Sequence, residues 1–448
     1  MSSKTLPVII VGGGPIGLAA AHIFDKLGLD FLLLEQHHSL TPDIGACIGM
    51  WSPSLRIIDQ LGLWDAFQPQ VNRMADKISF TQAGDIIHSG SIFAVNEKRF
   101  GYSTSIFHRH SILQTLYDSL PESSKRRMLV NKKVVAIDIK EESVSVRCSD
   151  GTEFEGSIII GADGSHSAVR ECTKELARKS SSGNEAFGKN EAFKTTYRLL
   201  FGSCPRFGDA KPATVYECHR SGSSTQVFVG EETMWFFLYE KIDNPTYEHK
   251  SYTQKDADEF ATHYADHRVT KEIYFRDVYK ERNNSGVTDL EEGILDKWWW
   301  NRIVLVGDAA HKVTPNAGLG FNSGMQDLAA IANGIRSLQS KGGSLHDNDS
   351  VEALFSQYQS ERIDIMKKLS DVSARATRLC AWHSTFAMIM DRYIMPALNL
   401  ELLMSRLLVV PIVINSFVLD WLPEPNHRSG TIPWKSFPNH NLNTEEAH

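Results

Sequence analysis

Two glycine-bearing turns, each at the end of an apolar run and about 300 residues apart, constrain this chain more than any other feature. The first reads LPVIIVGGGPIGLAAAH. Leu6 to Val11 is unbroken apolar sequence with β-branched residues, the pattern of a strand covered on both faces of a parallel sheet. Gly12, Gly14 and Gly17 then match GxGxxG, Pro15 suits a first helical turn, Gly28 ends the helix, and a second strand from Phe31 to Leu34 delivers Glu35. The three glycines serve different ends, which are the tight turn, the close approach of backbone to a pyrophosphate, and the packing of helix on strand. Glu35 falls about 20 residues on, where a carboxylate accepts hydrogen bonds from a ribose. The pattern predicts a dinucleotide site and leaves NAD and FAD unseparated, because both carry ADP.

The second turn, VLVGDAAHKVTPNAGLGFN, ends a strand in Asp308 and then offers a loop of Pro, Asn and Gly with little charge. Between the two lies FEGSIIIGADGSHSAVRE, an apolar strand from Ser157 to Ile160 followed by Asp163-Gly164, with Ser167 and Arg170 opening a helix. Nucleotide-type turns so far apart imply either two dinucleotides or one long cofactor reaching both. One cofactor is the simpler arrangement. His311, alone after a strand, is expected to be a hydrogen-bonded structural residue.

At 448 residues the chain is long enough for two or three domains and a large enclosed cofactor. Its formal charge of -7 and pI near 6.2 exclude a nucleic-acid partner, which would need a basic face. Six scattered cysteines without CxxC spacing predict free thiols in a reducing, cytoplasmic compartment, and no metal site is expected. The three consecutive glycines after the apolar N-terminal run favour a nucleotide turn over a signal peptide.

Between 191 and 300 the pattern changes to KTTYRLLFG, ATVYECH, STQVFVG and TMWFFLYEK, four strands of an antiparallel sheet, the last two joined as a hairpin across Glu231 and Glu232. The polar, Gly/Ser-rich stretch before them reads as a surface crossing. The expected organisation is α/β. Residues 1–190 and 301–375 form a discontinuous Rossmann-like FAD-binding domain with the GxGxxG turn, residues 191–300 an inserted antiparallel-sheet substrate domain, and residues 376–448 an apolar helical C-terminal segment.

In this order the three motifs resemble the fingerprints of the single-component, class A flavoprotein monooxygenases with the para-hydroxybenzoate hydroxylase fold. HRHSILQTL, with Arg109, and YQSERIDI, with Tyr358 and Arg362, fit the same family. The resemblance implies FAD, NADPH or NADH as transient reductant, and O2 as co-substrate, acting through a flavin C4a-hydroperoxide. It implies flavin contacts from Gly12, Gly14, Gly17, Glu35, Gly49, Arg109, Asp163, Asp308, Gly318, Gly320, Phe321 and Asn322, with the late loop presenting backbone N–H groups at the start of a helix near Ser323. The sequence is most similar to a fungal branch that epoxidises prenyl chains of meroterpenoids and indole diterpenes, secondary metabolites whose prenylated cores would be the substrate class. In that branch the Arg of YRxxFG and a Tyr on the next strand are active-site residues, here Arg198 and Tyr216. The competing reading makes both ordinary outward-facing residues of alternating strands. Gln36 and His37 stand where many aromatic hydroxylases carry Arg, which moves the expectation from ring hydroxylation toward attack on an alkene. An FAD-dependent aromatic hydroxylase and a flavin- or nucleotide-binding protein without turnover are the alternatives.

The C-terminal stretch ELLMSRLLVVPIVINSFVLDWLPEP has an uncharged piece, Leu407 to Leu419, too short for the roughly 20 residues of a spanning helix. It reads either as a helix packed on the substrate domain or as an interfacial helix in peripheral contact with a membrane.

Overall fold

The computed structural model describes residues 6–43, 47–180, 192–424 and 430–437. The first apolar run forms the strand Val8–Val11, every residue of it buried. It pairs in parallel with Phe31–Leu34 on one side and Ile159–Gly161 on the other, and Ile303–Leu305 pairs beyond Ile159–Gly161. The three sequence motifs are thus the ends of neighbouring strands in one six-stranded sheet. This adjacency brings turns about 300 residues apart to one edge. The helix Pro15–Lys26 follows the first turn and ends before Gly28, which has φ +69°. At Gly17 any Cβ would stand 1.9 Å from the Gly12 carbonyl oxygen, so only glycine permits the helix to sit this close.

The second sheet has eight strands, in the order His311–Lys312, Asn284–Ile294, Lys194–Pro205, Thr233–Thr246, Ser223–Val229, Thr214–Arg220, Asp76–Thr81 and Ile86–Gly90. All four strands expected after residue 191 are present, and the hairpin closes with Gly230 N donating to Thr233 O. Its membership differs from the expected 191–300 span. Asp76–Thr81 pairs in parallel with Thr214–Arg220, so the first half of the chain supplies the last two strands, with Ile86–Gly90 at the edge. The polar crossing expected before this sheet falls largely at 181–191, outside the described residues.

Side chains alternate across this sheet. Tyr197, Leu199, Val215, Trp235, Phe237 and Tyr239 cluster on the face toward the first domain. Leu200, Tyr216, Cys218, Phe236 and Leu238 pack on the other face against Phe260, Phe275 and Val278 from the helices Gln254–His263 and Phe275–Lys280.

The helix Asn348–Cys380 runs through the expected boundary at 375. Beyond it, short helical pieces from Thr385 to Ile414 include π-type turns at Met390–Ile394 and Ser405–Val409, and the segments Thr385–Ala397 and Leu400–Ile414 meet at 92°. Residues 417–420 are then held as a strand would be, but by side-chain amides. Gln326 bonds both N and O of Phe417, Gln60 both N and O of Leu419, and Asn333 bonds Val418 O and Asp420 N.

Candidate functional site

One cavity of about 1690 Å³ runs from the GxGxxG turn, past the late glycine loop, to the inner face of the second sheet and the C-terminal helices. At its first end Gly12 adopts φ +106° with its backbone against Ala162, where a Cβ would lie 2.6 Å from the carbonyl oxygen. Gly14 differs: a Cβ there would meet nothing within 4 Å, so the space in front of the helix N-terminus is open. That is the cradle in which N–H groups and the helix dipole receive a pyrophosphate. Gly17 is not part of the lining, since its role is the helix contact described above.

Glu35, at the end of the second strand, is fixed by Gly13 N (2.6 Å) and His37 N (2.8 Å) and borders the cavity. Arg109 begins the helix Arg109–Asp118 and faces the same space. Burial lowers its pKa while the Glu35 charge works in the opposite direction. In the Asp163-Gly164 turn, Asp163 Oδ2 accepts from Val169 N at 3.0 Å, Ser167 caps the helix Ala168–Lys179, and the buried Asp163 Oδ1 has no hydrogen-bond partner among the described residues. Burial pushes the Asp163 carboxyl up.

Asp308 follows the strand Ile303–Leu305 and lines the cavity, with Ser165 Oγ donating to it at 3.4 Å. Burial raises its pKa. A carboxylate that opens onto the cavity and is so lightly partnered is suited to accept hydroxyl groups from a ligand. The following helix begins at Leu319, four residues earlier than expected, which puts Gly320, Phe321 and Asn322 in its first turn. Gly318, with φ +63°, turns the chain into it, and Gly318, Gly320 and Phe321 face the cavity beside Gly49. Asn322 instead braces the loop. Its side chain donates to Gly49 O and Gly318 O and accepts from Trp51 N. Below the loop His311 Nε2 lies 2.7 Å from Asp327, which also accepts from Gly307 N and Arg362, and Tyr358 donates to Leu305 O. His311 is therefore structural, as expected. Open space at Gly14, the Asp163 oxygen unpartnered among the described residues, the cavity-facing Asp308 and two helix N-termini on one cavity together fit FAD.

The two residues expected to act on substrate are elsewhere. Arg198 pairs with Glu240, stacks over Phe260 and shares Glu240 with Tyr264 Oη, while Tyr216 Oη accepts from Lys211 N. Both side chains belong to the face of the sheet turned away from the cavity, and neither lines it. The reason is strand alternation: a substrate-facing position on Thr214–Arg220 falls one residue further, at Glu217.

Glu217 centres a buried polar group that sequence reasoning missed. Its Oε2 is 3.0 Å from Lys77 Nζ and 3.3 Å from His219 Nε2, and its Oε1 accepts from Gln226 at 2.9 Å. Gln226 also donates to Asn316 O in the late loop. Lys77 reaches Glu401 (3.2 Å), which meets His88 (2.5 Å), and His219 Nδ1 lies 2.7 Å from Asp391. Burial works against the charges of Glu217, Lys77 and His219, yet Lys77 and His219 hold the Glu217 pKa well below the carboxylate range. Glu217 and Glu401 in turn hold Lys77 well above its usual value, and Cys380, Asp391 and Glu217 hold His219 above its own. Glu217, His219 and Cys380 present ligand-type atoms within 4.8 Å of one another, but Lys77 already supplies the positive charge there. The signal available beforehand was Glu217 and His219 two apart in an apolar strand, hence on one face.

Residues 5–373 match the FAD binding domain family. FAD-dependent monooxygenase ausM of Penicillium brasilianum is 32% identical over 400 residues, covering 87% of this chain and 82% of its own length. FAD-dependent monooxygenase nvfK of Aspergillus novofumigatus is 30% identical over 437 residues, covering 96% and 91%. Among solved structures, Klebsiella pneumoniae HpxO complexed with FAD and uric acid superposes with a TM-score of 0.73 at 16% identity, over 91% of this chain and 97% of its own. Pseudomonas aeruginosa PqsL in complex with 2-aminobenzoylacetate gives 0.66 at 16% identity, over 87% and 100%. At such identity these two speak for the fold alone. Sequence relatives, the matched domain and a cavity shaped for the whole cofactor agree that this chain belongs to the family of FAD-dependent flavoprotein monooxygenases.

Proposed function

We propose that this enzyme uses NADPH or NADH and O2 to epoxidise a carbon–carbon double bond on the prenyl chain of a meroterpenoid-type substrate. The observation that carries the reading is the continuity of one cavity, from the cofactor cradle at Gly14 into a chamber walled by apolar side chains of the C-terminal helices, among them Met390, Met395, Met404 and Leu408. Bound FAD supplies the reduction and oxygen chemistry. The chain's residues bind, orient and exclude water. Glu35 receives the adenosine ribose, Asp308 the ribitol hydroxyls, and the N–H groups at the start of Leu319–Ser340 face the flavin's polar edge and favour negative charge on it.

Alkene attack is favoured over ring hydroxylation by the charge state of the chamber. Hydroxylating a phenol calls for a base of pKa near neutrality, whereas on the chamber wall Glu217 is held low and Lys77 is held cationic. Incubating the FAD-loaded enzyme with NADPH, air and a panel of farnesylated aromatics, followed by mass and NMR analysis, tests this. An epoxide on the chain supports the assignment; a new ring hydroxyl refutes it.

The outer surface of the C-terminal helices carries exposed Phe386, Tyr393, Leu398 and Leu407, of which Phe386 and Leu407 also line the cavity. No single helix among the described residues is long and apolar enough to cross a membrane; the bent pair is so only as a unit. This surface fits peripheral contact with a membrane in which a prenylated substrate dissolves. Flotation of the enzyme with phosphatidylcholine vesicles tests it, and retention in the dense fraction argues against it.

A further inference from the structure

Lys77, Glu217 and Glu401 form a charged patch on the chamber wall that stability does not explain. Burying Lys77, Glu217 and Glu401 as ion pairs roughly breaks even against apolar side chains of the same size. Yet they open onto the cavity opposite Met390, Met395, Met404 and Leu408 of the C-terminal helices, and Lys77 and Glu401 each keep 22% of their side-chain surface accessible. In pockets of this kind a few placed polar groups fix the orientation of a mostly apolar ligand.

We propose that Lys77 and Glu401 are the specificity-determining contacts for an oxygen-bearing head group, one hydroxyl or enol that accepts from the Lys77 ammonium and donates to the Glu401 carboxylate. Among the described residues, two of the three Lys77 N–H donors are accounted for, by Glu217 and Glu401, and one is left. Glu401 Oε1 and Oε2 each meet one partner, Lys77 and His88, and each keeps acceptor capacity. Glu217 is the positioning residue: it holds the ammonium at 3.0 Å and, through Gln226, ties this wall to Asn316 beside the flavin loop. The geometry therefore sets the distance from head group to flavin, and with it which double bond of the chain is presented. The substrate class narrows to amphiphiles with a hydroxylated head and an apolar chain, and pure hydrocarbon terpenes are excluded.

The inference rests on the reading of this cavity as the substrate chamber, and its test is kept separate from turnover. Three probes share one chain: farnesylhydroquinone, its dimethyl ether and farnesylbenzene. The first donates and accepts, the second only accepts, the third does neither. Binding to the FAD-loaded enzyme is followed by the perturbation of the flavin absorption band. The expected result is at least a tenfold loss of affinity from the first probe to the second and a further loss to the third. Lys77→Met is expected to flatten the series to within about twofold, with FAD content retained. Glu217→Gln is expected to weaken the discrimination less. Equal binding of the three probes by the wild-type enzyme overturns the proposal without use of any variant. An unchanged series in Lys77→Met also overturns it, by leaving these residues a purely structural tie between sheet and C-terminal helices. Failure of the epoxidation assay alone, with the affinity series intact, counts against the reaction and not against the head-group contact.

Discussion

His219 and Asp391 meet at 2.7 Å, one from the strand Thr214–Arg220 of the eight-stranded sheet and the other from the C-terminal helices, and Trp382 Nε1 donates to the same carboxylate oxygen. The pair pins the apolar cover over the chamber. Removing one partner of a buried ion pair costs about 3–5 kcal/mol, so Asp391→Asn is expected to lower the melting temperature by several degrees.

The pH dependence of that loss follows from linkage. The folded pKa of His219 is raised above its ordinary value of 6.5, so its stabilisation is complete below about 6.5 and fades as the pH rises through the folded value. The gap in melting temperature between wild type and Asp391→Asn should be widest near pH 6 and narrow as the pH rises through the raised folded value. A gap independent of pH contradicts the assignment of an imidazolium.

Arg198→Ala should behave as a structural change. It leaves Glu240 with Tyr264 as its remaining named partner on the far face of the sheet, at a cost of about 1–3 kcal/mol. FAD content and turnover per bound flavin are expected to stay within twofold of wild type. A well-folded, fully flavinated variant without product would restore Arg198 to the catalytic set.

Gln326 lies on the helix that begins at the flavin loop and holds Phe417 through two hydrogen bonds. Gln326→Ala should destabilise by about 1–3 kcal/mol. Proteolysis should then cleave near residue 415 before the rest of the chain. Equal protection in wild type and variant argues against this anchoring.

These cases also show what was legible beforehand. The cofactor end was legible because its determinants are local: Gly12, Gly14 and Glu35 answer to strand, turn and helix within one short segment and border the cavity, whereas Gly17, expected to touch the cofactor, serves only the packing of helix on strand. The substrate end depends on which strands pair. Lys77 sits on a strand that joins the sheet only through its parallel partner Thr214–Arg220, and nothing near it in sequence announces that. Tyr216 is a residue type that suits a strand on either face, and the face is decided by a register that one residue reverses. Asp391 and Glu401 stand in a mostly apolar stretch, and only the fold shows what they meet.

Gly14→Ala isolates the cradle from the fold. Gly14 has φ -69°, which alanine adopts without strain, and its Cβ would project into open space. The variant should fold with the thermal stability of the apoprotein while binding FAD at least tenfold more weakly. Asp308→Ala should likewise yield apoprotein. Normal flavin content in either variant removes that residue from the cofactor site.

The central claim is that a single extended FAD occupies this cavity from end to end. Crystals of the FAD-loaded enzyme measure that directly through the cofactor's electron density. The account requires adenosine beside Glu35, pyrophosphate in front of Gly14, ribitol on Asp308 and the ring system against Gly318. Density for the adenosine or the ring system at any other place would contradict it.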